Sequence, residues 1–469
     1  MPSREIASWS ELFQGRNGLR SVVLAGGVGL HAINVYIVAT ILPSVVQDIG
    51  GLEYYAWNTT LFVVASIFGS ALSPKALDAY GPRLAYLTAI LIFALGTAVC
   101  ATAPSMRWLL VGRTAQGFGG GILLGLSYAS IRIVFEDRLW PRAMALVSSM
   151  WGVATLLGPA IGGIFAQTGH WRLAFWVVLP IAAVLAWLVN TQLDRGAKPS
   201  ATSRIKAPFG KITALAASVL VISLGSLSES LAWNAVGVVI GLGIGIGVAQ
   251  ADKRAVTKLM PAGAYSIKTH IGSLYACLSL LSVGVTTEIF VAYFLQTIHG
   301  HTPLVAGYMT ALMAAGWTTG SIISSGRTHA TANRLIRIGP VLSALSLLAL
   351  AVLMPWASLT QANGGSWWLV VPLLGVGMGI GLCWPRMSTQ VFKAAPVGQE
   401  NIAASAITTL QLYSMAMGST LAGVVANAAG FTHPGGMIGA QQAAIALFAI
   451  FACAPGMAAL LTGRVVRQG

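Results

Sequence analysis

Ionisable residues are scarce inside the long apolar runs of this sequence, so each one there is informative about chemistry. Of the 12 Asp and Glu residues, only Glu288 sits well inside such a run, roughly 15 Å from its outer end at ~1.5 Å per residue. A short carboxylate cannot reach water from that depth. It must face a cavity, pair with a partner or hold a proton, and a carboxyl so placed can bind and release protons near neutral pH. A protonated or hydrogen-bonded packing role is the alternative. His31 lies near the middle of the first run, where an imidazole can titrate near neutrality or pack as a neutral ring bonded to a neighbouring helix. Arg113 lies roughly 8 Å inside the fourth run. A cation there must pair or snorkel outwards, and a buried one would tune the proton affinity of a carboxylate. Glu288, His31 and Arg113 are the candidate proton-coupling set. His299 and His301 fall between runs and are expected in a solvated outer loop.

The same residue types argue against other chemistry. An enzyme would need His, Asp, Glu or Cys gathered at one place. Glu136 and Asp137 share a short loop with no His beside them, so no enzyme and no catalytic residue is expected. Cys100, Cys277, Cys383 and Cys453 each stand alone in an apolar run, without metal-ligand spacing or a disulfide framework. They read as packing residues, and neither a cofactor nor a metal is expected.

The elements that must position these groups are helices in lipid. The 469 residues are 56% hydrophobic and 8% charged, whereas a soluble surface takes roughly 25% charged residues. The 54 glycines suit close helix packing. Runs long enough to cross a bilayer at about 20 residues each fall at 21–47, 55–74, 84–104, 107–131, 143–168, 171–190, 209–227, 231–250, 270–298, 303–325, 335–356, 367–385, 401–429 and 438–462. With the N-terminus cytoplasmic, all Lys and Arg but Arg107, Arg172 and Arg113 fall on the inner side, the pattern expected of cytoplasmic loops. Asp48, Glu53 and Glu229 fall outside. Trp57, Trp108, Trp171, Trp233, Trp356, Trp367 and Trp368 form an outer aromatic belt. The polar start, Met1 to Arg20, lacks the form of a cleavable signal. The net charge of +15 sits in short loops, which suits anionic lipid headgroups rather than nucleic acid. Two longer loops, 191–211 and 252–269, bracket runs seven and eight. The chain divides into a cytoplasmic N-terminus (1–20), a six-helix bundle (21–190), loops with two linker helices (191–269), and a second six-helix bundle with a short tail (270–469).

Three motifs stand in register in the first half. The loop after run two reads Pro74-Lys75-Ala76-Leu77-Asp78-Ala79-Tyr80-Gly81-Pro82-Arg83. Run four carries Gly112-Arg113-Thr114-Ala115-Gln116-Gly117. Run five carries Gly152, then Gly158-Pro159 and Gly162-Gly163, followed by Trp171-Arg172 and Phe175. Gly permits a tight reversal at 81. Pro159 removes a helix hydrogen bond and bends run five, while Gly162 and Gly163 permit a close neighbour.

These motifs resemble the major facilitator superfamily, and within it the drug:proton antiporter branch with 14 spans. Asp78, Gly81 and Arg83 match its loop pattern G-x-L-x-D-R-x-G-R-[RK], while Pro74, Ala79 and Pro82 depart from it. Arg113, Gln116 and Gly117 match R-x-x-Q-G. The Gly158-Pro159 segment resembles the motif associated with export. The resemblance implies an all-α membrane protein of two six-helix bundles plus two extra helices, both termini cytoplasmic; the short loops and the lack of eukaryotic sorting signals point to a bacterial inner membrane. The resemblance also implies a secondary transporter working by alternating access, with Asp78, Gly81, Arg83, Gly158, Pro159, Gly162 and Gly163 in gating and conformational roles. Expected partners are a small-molecule substrate, protons and membrane lipids, with a monomeric chain. Aligning Leu42-Pro43 on the branch's first-span pattern puts Asn34 where an Asp is usual, and Asn cannot carry a proton. Coupling would then fall to another group such as Glu288. Asn34, Tyr36, Gln116, Gln296 and Trp317 are candidate cavity residues. Proton-coupled efflux of a small amphiphilic molecule is the function implied; the alternative is a facilitator or importer of a small metabolite without the usual proton coupling.

Overall fold

The computed structural model describes residues 9–136, 139–193, 209–228, 230–324, 329–356, 366–397 and 399–468. Asp137, Glu229 and several loop cations (Arg4, Arg138, Arg195, Lys198, Arg204, Lys206 and Arg327) lie outside the described residues. The described residues form helices joined by turns and loops, with no strand among them. Each apolar run in the sequence falls on helix. Nine helical stretches among the described residues are long and apolar enough to cross a membrane, and Phe209–Gly225 is a shorter apolar helix.

The chain forms two compact units, one of residues 1–50 and 61–207, the other of residues 51–60 and 208–469. The first holds α1 (Trp9–Phe13), α2 (Gly15–Ile49), most of α3 (Trp57–Ala101), α4 (Met106–Val134), α5 (Trp140–Gln167), α6 (Trp171–Trp176) and α7 (Val178–Gln192). Helix α3 carries runs two and three, joined where Gly81 takes φ 70° and ψ 169°. That conformation is open to glycine and costly for other residues, which is why the motif holds Gly81. Helix α2 packs on α4, α5 and α7.

The second unit holds α8 (Phe209–Gly225), α9 (Leu231–Arg254), α10 (His270–Val285), α11 (Glu288–Thr297), α12 (Pro303–Ser324), α13 (His329–Leu353), α14 (Val370–Ala394), α15 (Glu400–Ala428) and α16 (Gly436–Gln468). The linker helices α8 and α9 pack on each other, and α8 packs on α15.

A glycine pattern repeats in the two units. On α4, Gly117 and Gly121 lie against the backbone of Phe62 and Ser66 in the first arm of α3, while Gly119 lies against Ala89 and Phe93 in the second arm. On α14, Gly377 and Gly381 lie against the backbone of Met313 and Trp317 of α12, while Gly379 lies against Gly339 and Ser343 of α13. In each unit a side chain at these positions would run into a neighbouring helix. Each central helix is thus clamped between two others at backbone distance, the small-residue packing used where lipid offers no hydrophobic driving force. The sequence motifs of the second half are weak, but this packing repeat is plain.

His299 corrects one expectation. It is buried, its Nε2 lies 2.8 Å from the Met354 carbonyl, and Ser366 Oγ sits 3.4 Å from its Nδ1. His301 reaches the same hydroxyl at 2.8 Å. Burial holds the His299 pKa below the ordinary imidazole value, only partly opposed by the Met354 carbonyl. The neutral ring is the folded form. Its contribution to stability is complete above the ordinary imidazole pKa and is lost as pH falls through the lowered one. The melting midpoint in detergent is therefore expected to fall on acidification from about pH 7.5 to about 5, and His299→Gln to flatten that slope. An unchanged slope in the variant would contradict this role.

Candidate functional site

Unit one holds a buried polar network centred on a guanidinium. Arg113 is 2% exposed, and Asn34 and Gln116 are 0% exposed. The Arg113 guanidinium donates to Asn34 Oδ1 and to Gln116 Oε1, the latter at 2.9 Å. Gln116 Nε2 donates to Thr97 Oγ1 at 2.9 Å, and Cys100 Sγ lies 3.5 Å from Gln116 Oε1. The guanidinium carbon sits 4.1 Å from the centre of the Phe62 ring, a cation–π contact that gains strength away from water. Arg113 therefore does not snorkel. Amide oxygens and a ring face share its charge, and Asn34, at the position where the antiporter pattern has an Asp, is one of the acceptors.

His31 lies beside this network. Its ring is 5.0 Å from that of Phe62 and 5.9 Å, edge-on, from that of Trp151. Its Nδ1 is buried with no hydrogen-bond partner among the described residues, and a side chain at Gly120 would press on it. The structure thus brings His31, Asn34, Arg113 and Gln116 together. Tyr36, two residues on from Asn34, is half-buried where α2 meets α5.

The remaining motifs of unit one join helices. A side chain at Gly158 would overlap Tyr36 Cβ and lie 3.1 Å from its carbonyl carbon, and one at Gly162 would meet Ile37, Thr40 and Ile41. Pro159 and Gly163 are buried on the same helix. The export-associated glycines thus let α5 seat directly on α2, the helix that carries His31 and Asn34. Arg83 donates Nε–H to Asn190 Oδ1 at 3.0 Å, tying the loop at Gly81 to the end of α7. Asp78 is exposed. Arg172 pairs with Asp48 at 2.6 Å and donates to the Ala103 carbonyl at 2.9 Å, while Trp171 Nε1 donates to the same Asp48 oxygen at 3.1 Å.

In unit two, run nine is not one helix. It breaks at Thr286-Thr287 into α10 and α11, and Glu288 is the first residue of α11. Thr286 Oγ1 bonds back to Val283 O at 2.7 Å and Thr287 Oγ1 to Gly284 O at 3.2 Å. Such back-bonding relieves backbone groups at a break. Glu288 is half-buried and has neither a hydrogen bond nor an ion pair among the described residues. Just beyond it, Phe290 and Tyr293 pack with Phe431 around the buried Tyr55, at ring separations of 5.2 Å for Tyr55–Phe290 and 4.7 Å for Tyr293–Phe431. Gln296, near the end of α11, has a buried Nε2 with no partner among the described residues. Trp317 is half-buried against Trp384, ring centres 5.1 Å apart.

The Major Facilitator Superfamily model matches residues 24–419. The chain is a member of that superfamily. It is 36% identical over 457 residues, 96% of this chain and 95% of the relative, to a "probable multidrug-efflux transporter" of Mycobacterium tuberculosis. It is 25% identical over 408 residues, 85% of this chain and 77% of the relative, to Multidrug resistance protein 3 of Bacillus subtilis. Its fold is similar to the crystal structure of a D-xylose-proton symporter, at TM-score 0.65 and 14% identity, covering 96% and 97% of the two chains. Membership of that superfamily makes it a multi-pass membrane transporter, not an enzyme. Several partners in this facilitator escaped sequence reasoning. Thr97, Cys100 and Phe62 complete the Arg113 network from α3, and Asp48 and Asn190 receive the motif arginines. An apolar environment with two strong hydrogen-bonding groups on one helix is the signal that such partners exist, but it does not say which helix supplies them.

Proposed function

We propose that this facilitator is a proton-coupled exporter of small amphiphilic molecules, working by alternating access in a bacterial inner membrane. The observation that carries export is the 36% identity, over nearly the full length of both chains, to a relative named for multidrug efflux. The seating of Gly158 and Gly162 of α5 on α2 supports the same reading. Glu288 is the coupling carboxylate in this reading. It stands at a helix break, half-buried and without a partner among the described residues, so it can exchange a proton without first breaking an ion pair. His31 and Arg113 tune unit one, and Tyr36, Gln296 and Trp317 with Asn34 and Gln116 contribute to substrate selection. The chain spans the membrane fourteen times with both termini cytoplasmic, as bundles 21–190 and 270–469 joined through 191–269, and acts as a monomer.

The second reading, a facilitator or importer without proton coupling, is favoured by Asn34: a neutral amide on Arg113 stands at the position where an antiporter has an acid. Whole-cell accumulation separates the two. With fluorescent amphiphiles of positive, zero and negative charge, export predicts lower steady-state accumulation in cells expressing the protein, abolished by an uncoupler. Equal or faster accumulation that ignores the uncoupler supports the facilitator instead.

A further inference from the structure

A cavity of about 380 Å³ lies in unit two, away from Glu288 and from the motif residues, where the linker helices meet α10 and α15. Its walls are almost wholly apolar: Leu215 of α8, Leu242 and Ile246 of α9, Ala276 of α10 and Leu410 of α15. Tyr265, Tyr275 and Tyr413 line it too, but each phenol is already bonded, to Asp252, to the Ala403 carbonyl and to Ser218 respectively. Such walls offer an entering molecule little hydrogen bonding, so its buried part is hydrocarbon. Its lining on α9 runs from Leu242 to Ala249, roughly 10 Å at ~1.5 Å per residue. That length fits within one leaflet, which is about half of the ~30 Å hydrocarbon thickness of a bilayer.

The charge at its loop end selects the head of that molecule. Asp252 is the only acid between residues 251 and 270, and it is fully buried. Its oxygens accept from Lys211 Nζ at 2.6 Å, from the Leu259 and Met260 amides at 2.8 and 3.1 Å, and from Tyr265 Oη at 2.9 Å. This latch fixes the loop wall of the cavity and leaves the acid with no charge to offer elsewhere. The same stretch of chain carries Lys253, Arg254, Lys258 and Lys268, each exposed or half-exposed. Lys253 Nζ is 6.0 Å from the centre of the Tyr265 ring that lines the cavity. Lys258 and Lys268 adjoin the lining residues Leu259 and Ile267, and Arg464 donates to the Ile267 carbonyl at 3.3 Å.

We propose that this cavity is a binding site for an anionic phospholipid, with one acyl chain in the cleft between the linker helices and the C-terminal helices and the phosphate among Lys253, Lys258 and Lys268. Lipid tails are as apolar as the walls, so the chain gains packing and little else from entry. Selectivity therefore comes from the head, where each basic group near an anionic lipid strengthens binding about fivefold. The lipid would act as a wedge holding α8 and α9 to α10 and α15.

The test uses the full chain in nanodiscs of phosphatidylcholine with a minor share of phosphatidylglycerol, followed by detergent extraction and native mass spectrometry of the lipid that stays bound. Wild type is expected to retain phosphatidylglycerol in clear excess over its share. The triple variant K253Q/K258Q/K268Q, which leaves the cavity open, is expected to lose that preference tenfold or more. Ala276→Phe, which fills the cleft and leaves the charges, is expected to retain neither lipid. A phosphatidylglycerol carrying a photoreactive group at its acyl terminus should label Leu410, Tyr413 or Leu242 in the unmodified protein, a readout that does not depend on any variant folding. Equal retention of the two lipids by wild type, unchanged retention in the triple variant, or labelling spread evenly over the lipid-facing helices would overturn the proposal. Lipid retention is read without transport, so its failure leaves the export reading untouched, and the reverse holds.

Discussion

Replacing Arg113 by Ala is expected to destabilise unit one by about 2–5 kcal/mol, through stranded amide oxygens and lost packing, and to abolish transport. Arg113 is 2% exposed, and its removal strands Asn34 Oδ1 and leaves Gln116 Oε1 without its strongest donor. Each unsatisfied buried group costs about 1–3 kcal/mol, and the lost side chain opens a cavity under Phe62. Arg113→Lys keeps the charge but is expected to recover only part of the loss. An ammonium on a flexible stem cannot reproduce the planar guanidinium that serves an amide and a ring face together. Thermal unfolding in detergent, read for Ala, Lys and wild type, checks the order. A Lys variant as stable as wild type would show that charge alone matters at this position.

The second large effect separates two glycines of one motif. A methyl group at Gly158 would overlap Tyr36 Cβ and press on the α2 backbone, which cannot retreat without parting the helices. Gly158→Ala is expected to cost about 2 kcal/mol or more as an overpacked contact and to slow transport strongly. Gly152, one and a half turns earlier, has nothing within 4 Å of the same position. There Gly→Ala is expected to be neutral, or to stabilise by up to about 1 kcal/mol through helix propensity. Transport by both variants at equal protein amounts, with their melting midpoints, reads this out. Equal effects at the two positions would mean that the motif acts through composition rather than through the α2–α5 seat.

Helices were legible from the sequence because lipid imposes a length and a composition on each one, and every run found there falls on helix in the structure. Gly81 was legible as a turn because its motif demands a conformation that only glycine adopts easily. The position of Arg113 in its run left pairing and outward snorkelling both open, and neither its burial nor its partners were legible there. Asn34 lies 79 residues earlier in the chain, and nothing local in either segment encodes the pairing. The break ahead of Glu288 left no signal, since Thr286 and Thr287 are ordinary in an apolar helix and their back-bonds appear only in three dimensions. His299 was misread for a similar reason: its carbonyl partner lies at the end of a helix 55 residues away. Nothing local marks Asp252 as buried, because its burial depends on four donors drawn from three separate stretches of chain.

Proton flux during transport decides whether Glu288 couples export to proton entry. Proteoliposomes or everted vesicles carrying a pH-sensitive dye are energised and then given each amphiphile that the accumulation screen identifies, for wild type and Glu288→Gln. Substrate-dependent proton movement is expected in wild type and is expected to disappear in Glu288→Gln, while the variant still binds substrate. Transport that continues unchanged in the variant, with no proton movement in either protein, would contradict that coupling and establish the facilitator reading.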